Sequence, residues 1–349
     1  MGIVPNPQSP SPFPFIFFKY FIKLNYILKM YEIKPIDIST DIFMQNGGKR
    51  ILSKKNNLIM LYEKSIKSDF KLTHKCEDSN PPFPIIYMLM LSNELILISG
   101  RKFLFIFKKK NEKYLLHQNI FLSEVAEITN IKELKNGNFA VCGWYGFIAF
   151  KLNNSSDNFE IDYKIGKSLL NNDYWICDFM EIKDKKDSFI FCGTYGDYII
   201  NEKKNIKQIK FNEEIDKKFS MGRNYICQFN DDIFVFCTMQ YITLVNIREN
   251  AFKLINFIEE TNEKRKRLGL RDQTTVYKYD INSIIILSQL KGIFIVQIFD
   301  NERIQVNIRI KLKDPFIEFL MFIEEEKCIF FREKGNNYKL KFMKKIYYS

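Results

Sequence analysis

Apolar and polar residues come in short alternating bursts along this chain. From about residue 36 to the C-terminal end, short runs rich in Ile, Phe, Val and Tyr are separated by clusters of Asn, Asp, Lys and Gly. Runs of this length bounded by turn-forming residues predict β-strands, and no stretch sustains the apolar period of an amphipathic helix. Residues 138–151 show the unit most plainly: an apolar run, a Gly-Trp-Tyr-Gly turn and a second apolar run, which together read as a β-hairpin.

The runs recur. Aligning one strand per unit on its last residue picks out Ser53, Ser99, Cys142, Cys192, Cys237, Leu287 and Phe331, spaced by 46, 43, 50, 45, 50 and 44 residues. Two units are near copies: Tyr174-Trp-Ile-Cys-Asp-Phe179 leads to Phe191-Cys-Gly193 as Asn224-Tyr-Ile-Cys-Gln-Phe229 leads to Phe236-Cys-Thr238. In the third unit the strands a to d are expected at 125–134, 139–142, 147–152 and 159–165. Four strands at this period describe the blade of a β-propeller, so the expected fold is all-β, a seven-bladed ring of four-stranded blades.

Over 36–349 the strand period resembles that of the WD-repeat (WD40-like) propeller family. Gly100, Gly143 and Gly193 at the turns between strands b and c fit that family, whereas its Gly-His before each blade and its closing Trp-Asp dipeptide are absent. The hydrogen-bond tetrad of typical repeats therefore has no assignable members. What the resemblance implies is a divergent propeller.

The chain ends predict how the ring closes. After the run ending at Phe331 too little chain follows for a complete last blade, while 26–33 precedes the first inner strand, expected at 36–44, without a blade of its own. The N-terminal strand is thus expected to complete the last blade and remove its free edge. This divides the chain into an arm, 1–25, disordered or packed on the surface, and a propeller, 26–349. The arm is proline-rich at its start; the apolar stretch that follows is interrupted by Lys19, Lys23 and Lys29, short of the nearly uncharged run a membrane helix needs. A membrane anchor, a targeting segment, and a strand or surface helix packed on the body are the readings it leaves.

Charge adds a partner class. The net charge is +12 and the pI about 9.1, which favours acidic partners, although a Lys-, Asn- and Ile-rich composition of the kind AT-rich coding favours accounts for part of it. Seven cysteines without a Cys-x-x-Cys pair, and two histidines, His74 and His117, support neither a zinc site nor a disulfide framework. Cys142, Cys192 and Cys237 occupy equivalent places one blade apart, as do Cys177 and Cys227, and read as small buried hydrophobes. The expectation is an intracellular, cytoplasmic protein that carries no metal or cofactor.

Strand direction locates the working face. Turns between strands b and c share one face with the connections between successive blades. That face collects Arg101, Lys102, Trp144, Tyr145 and Tyr195, with the basic run that holds Arg265, Lys266, Arg267 and Arg271. Cations and aromatic rings together suit an acidic peptide or a phosphate-bearing ligand. Phosphoinositide-binding propellers carry an apolar-Arg-Arg-Gly motif late in the ring, which Arg267-Leu-Gly269 does not match. No nucleic-acid reading module accompanies the charge. The carboxylate clusters at 231–232, 259–260 and 324–326 fall at strand ends or in connecting loops and read as solubilising charge. The sequence thus predicts a non-catalytic scaffold that holds other proteins of a larger assembly; the alternative is a propeller that binds an anionic membrane or nucleic acid.

Overall fold

A strand packed by other sheets on both sides must be apolar on both faces, and the strand aligned in each repeat has that composition. The structure, a computed structural model, describes residues 31–36, 42–46, 50–55, 58–64, 70–76, 85–166, 175–182, 188–193, 198–202, 205–209, 225–237, 241–246, 251–256, 274–288, 292–299, 303–310, 318–324, 326–333 and 336–342.

Strand β1 spans Tyr31–Ile36. The other strands and β1 form seven four-stranded antiparallel sheets. Blade 1 is β2–β5 (Ile42–Asn46, Arg50–Lys55, Leu58–Lys64, Phe70–Cys76), and blade 2 is β6–β9 (Tyr87–Met90, Ile96–Ser99, Phe103–Lys110, Lys113–Phe121). Blade 3 is β10–β13 (Ile128–Glu133, Phe139–Gly143, Gly146–Asn153, Asn158–Ile165), and blade 4 is β14–β17 (Ile176–Glu181, Ser188–Gly193, Tyr198–Glu202, Asn205–Ile209). Blade 5 is β18–β21 (Tyr225–Gln228, Ile233–Cys237, Tyr241–Asn246, Ala251–Asn256), and blade 6 is β22–β25 (Thr274–Lys278, Ser283–Ser288, Gly292–Phe299, Arg303–Ile310). Blade 7 is β26–β28 (Glu318–Ile323, Cys328–Glu333, Asn336–Phe342), with β1 paired to β28 as its outer strand. Each run aligned in the sequence is the second strand of its sheet.

The closing strand is displaced from its expected place. Spacing alone puts it at 26–33 and starts the first inner strand at Ile36; in the structure β1 ends at Ile36, opposite Asn337, and β2 begins at Ile42. Pro35 is tolerated within β1 because an edge strand does not need every N–H for its ladder. Residues 26–30 and the 1–25 arm lie outside the described residues. In blade 3 the inner strand also starts later than expected, at Ile128, because Ala126 N donates to Trp144 O and Trp144 N to Glu127 O, both at 3.0 Å, which holds this segment to a turn instead of the sheet.

The core lies between blades. In β11, Phe139 and Val141 join a buried cluster with Leu97, Leu104 and Ile106 of blade 2, while Ala140 and Cys142 join one with Phe179, Phe189 and Phe191 of blade 4. The two-residue period of the strand thus sorts alternate side chains into two interfaces, and every residue of β11 is buried. Outer strands obey the opposite rule: β13 exposes much of one face. Further clusters join blade 1 to 2, 5 to 6 and 6 to 7.

Polar clamps reinforce these seams on the face of the a–b turns. Glu133 at the end of β10 accepts Ser92 N of blade 2 on both oxygens at 2.9 Å, and Glu181 at the end of β14 accepts Lys135 N of blade 3 at 2.8 Å. The two glutamates hold equivalent register positions, opposite Phe139 and Phe189. Arg50 Nη2 bonds Glu94 at 2.6 Å across blades 1 and 2, and Lys327 of blade 7 donates to Tyr279 O of blade 6. Among the described residues no helix is long and apolar enough to cross a membrane.

Candidate functional site

The turn joining β11 to β12 is built on two glycines with little room to be anything else. A Cβ on Gly143 would lie 2.0 Å from Glu127 O, and one on Gly146 would lie 2.8 Å from Ile165 O and 2.9 Å from Glu124 O. The turn is thereby pressed against the connection from blade 2. Its two central residues, Trp144 and Tyr145, are pushed outward. Tyr145 holds a φ of 72°, in the left-handed region that a bulky side chain enters only at a cost of roughly 1–2 kcal/mol.

What that backbone accomplishes is ring placement. The Tyr145 ring stacks on Trp144 at 4.9 Å and 24°, and Trp144 stacks on Trp175 at 5.8 Å and 18°. Trp144 and Trp175 also form a β-bridge, so the turn of blade 3 is tied to the start of blade 4. Trp144 remains 36% exposed. Carboxylates stand close by: Glu124 pairs with Lys164 at 2.6 Å, and Glu127 supplies the carbonyl that anchors Trp144. The face at blade 3 is therefore aromatic with mixed charge.

Blade 2 supplies the unmixed positive charge. Gly100 N donates to Phe103 O at 2.9 Å and Leu122 N to Lys102 O at 2.7 Å, which fixes the turn that presents Arg101 and Lys102. Both are exposed, and among the described residues neither makes an ion pair. Beside them Phe103 and Phe121 are exposed too, 38% and 58%, with ring centroids 5.2 Å apart. Ala126, whose N–H meets Trp144 O, follows Phe121 by five positions, so the backbones of Phe121 and Ala126 are at most about 18 Å apart.

Of the residues chosen from sequence, Arg101, Lys102, Trp144 and Tyr145 are thus brought to one face of neighbouring blades. Tyr195, Arg265, Lys266, Arg267 and Arg271 lie outside the described residues. Phe103, Phe121 and Trp175 escaped the sequence reading. Trp175 had a signal, since the near-copy repeat places Tyr225 at the same point; the phenylalanines had none, being indistinguishable from core residues of a Phe-rich chain.

The thiols belong to the core. Cys142, Cys177, Cys192, Cys227, Cys237 and Cys328 are all buried thiols. Burial pushes Cys227 up to about 12 and Cys142 higher still, so both stay protonated and unreactive near neutrality. Among the described residues no group of His, Cys, Asp and Glu is placed to hold a metal ion.

No protein-family model and no curated protein matches the chain. Solved structures do. The WD40 β-propeller domain of Doa1 superposes with a TM-score of 0.61 at 12% identity, over 90% of this chain and 98% of that one. Sqt1 of Saccharomyces cerevisiae gives 0.62 at 12% identity, over 86% and 81%. The Pan2 WD40 domain of Neurospora crassa gives 0.56 at 11%, over 88% and 90%. At such identities the likeness speaks to architecture, and on that ground together with its four-stranded antiparallel blades the chain has the fold of the WD40 β-propellers.

Proposed function

We propose that the protein is a non-catalytic propeller scaffold that engages other proteins of a larger assembly through the b–c turn face of blades 2 and 3. The observation that carries this reading is Tyr145. Its left-handed backbone is costly where glycine would be free, and the return is a tyrosine ring held parallel to an exposed tryptophan. Local strain of this kind concentrates at working surfaces. Rigid aromatic rings beside arginine are the residue types that dominate protein interfaces.

Partners with acidic surfaces or peptides suit the exposed Arg101 and Lys102. The similarity to WD40 domains supports a binding role in general. Six buried thiols and the absence of any disulfide among them fit a reducing, cytoplasmic setting. A second reading, an anionic membrane or nucleic acid as ligand, draws on the same two cations and the net charge of +12.

Affinity purification of the full chain from native cells, compared with a Trp144→Ala, Arg101→Glu variant, tests the scaffold. It predicts a reproducible set of proteins recovered with the wild type and lost with the variant. Equal recovery from both would refute it, as would variant-sensitive flotation with anionic vesicles in the absence of any protein partner.

A further inference from the structure

The blade 2 end of this face carries a second, separable feature. Phe103 opens β8, Phe121 closes β9, and the two are direct cross-strand partners. Their rings lie 5.2 Å apart at 52°, and both stay exposed. Phe103 also lies 6.4 Å from Phe105, which packs against the cluster shared with Leu52, Ile59 and Leu61 of blade 1. The ring pair thus overhangs the seam between blades 1 and 2. On the same rim stand Arg101 and Lys102, exposed and without an ion pair among the described residues.

We infer that this rim is a docking site for an acidic linear peptide anchored by one large apolar side chain; the inference rests on the scaffold reading and names its partner chemistry. Charge complementarity selects the occupant. A carboxylate of the peptide meets the Arg101 guanidinium in paired hydrogen bonds, a second meets Lys102, and the apolar anchor seats on Phe103 and Phe121. A second copy of the chain is disfavoured, because a symmetric contact on this rim would set Arg101 and Lys102 against their own equivalents. A nucleic-acid base needs an open flat ring to stack on. The phenyl rings are tilted on each other and offer a wedge instead.

The test is a random-peptide display library panned on the full chain, followed by fluorescence anisotropy with the synthetic consensus peptide. The expected consensus is rich in Asp and Glu around one Phe, Leu or Trp. Arg101→Glu with Lys102→Glu, and separately Phe121→Ser, are expected to weaken that peptide by about tenfold or more. All three positions are exposed, and matching melting curves establish that the variants fold. A consensus without acidic residues, no consensus at all, or binding indifferent to both rim variants would overturn the inference. So would flotation with phosphatidylserine vesicles that the rim variants abolish while no peptide binds. If cellular partners depend on Trp144 but not on Phe121, the docking rim fails and the scaffold reading stands.

Discussion

Asn130 Nδ2 donates to Asp178 Oδ1 across 2.7 Å, tying the inner strand of blade 3 to that of blade 4. The same carboxylate takes Lys132 Nζ at 2.5 Å and, on its other oxygen, Ile226 N of blade 5 at 3.2 Å. One side chain, 3% exposed, therefore joins three consecutive blades. A buried carboxylate is tolerated when its attraction to a cation and its hydrogen bonds replace lost hydration, and here both are supplied.

Removing that carboxylate leaves the Lys132 ammonium partly buried and the Ile226 N–H without its acceptor. Asp178→Ala is expected to cost about 3 kcal/mol or more in urea unfolding, and Asp178→Asn clearly less, because the amide oxygen still accepts. A loss below about 0.5 kcal/mol, the range of ordinary surface substitutions, would show that the three-blade junction contributes nothing.

The glycines at the Trp144 turn make a second contrast. Gly143→Ala must displace Glu127 O from 2.0 Å, and overpacking against a backbone costs about 1–3 kcal/mol. Gly137→Ala meets no atom within 4 Å and carries only the penalty of its φ of +78°, about 1 kcal/mol. Thermal melts of the two variants should rank in that order; the reverse order would mean the turn is not pressed on the interblade connection.

Closure by β1 is tested by truncation. Deleting residues 1–34 strips the pairing of Tyr31, Glu32, Ile33 and Lys34 from β28 and bares its edge. With about one ladder hydrogen bond per paired residue and roughly 1 kcal/mol net for each, the four lost pairs cost about 4 kcal/mol, with added aggregation through the open edge. A truncated chain that melts with the full-length protein would contradict closure.

Alkaline pH reads the buried thiols. Cys227 ionises near 12 in the folded chain and near 8.5 when unfolded, so between those values the unfolded state has lost a proton that the folded state keeps. Stability from this group is complete below about pH 8.5 and falls by about 1.4 kcal/mol per pH unit above it. The urea midpoint should be flat from pH 7 to 8 and drop beyond 9, less steeply in Cys227→Val. At pH 8 a Cys76→Ser variant, left with the six buried thiols, should react with a thiol reagent only after unfolding.

How much of this was legible in the sequence follows from what each feature depends on. Repeat period and strand order rest on local runs, so each second strand from Arg50 to Phe331 could be aligned by eye, and the closing role of the N-terminal strand followed from the unfinished last repeat. Its boundaries did not, because Pro35 reads as a break and Ile36 as the start of the next strand until β28 is seen beside them. Asn130 and Asp178 fall at the same point of two successive repeats, opposite Cys142 and Cys192, yet that they are polar says nothing of the interblade bond they make. Trp144 and Tyr145 stood out between glycines; that Tyr145 is held left-handed, and that Phe121 is outside the core, are products of packing.

Tyr145→Gly tests the account most directly when stability and partner recovery are measured on the same protein. Relief of the left-handed backbone and loss of the Trp144 stack are each worth about 1 kcal/mol and oppose one another, so the melting temperature should hold within a few degrees. Partner recovery should meanwhile fall by at least about tenfold. Unchanged recovery, or a melting temperature that collapses as it would for a core aromatic, would contradict the claim that this turn is strained in order to bind.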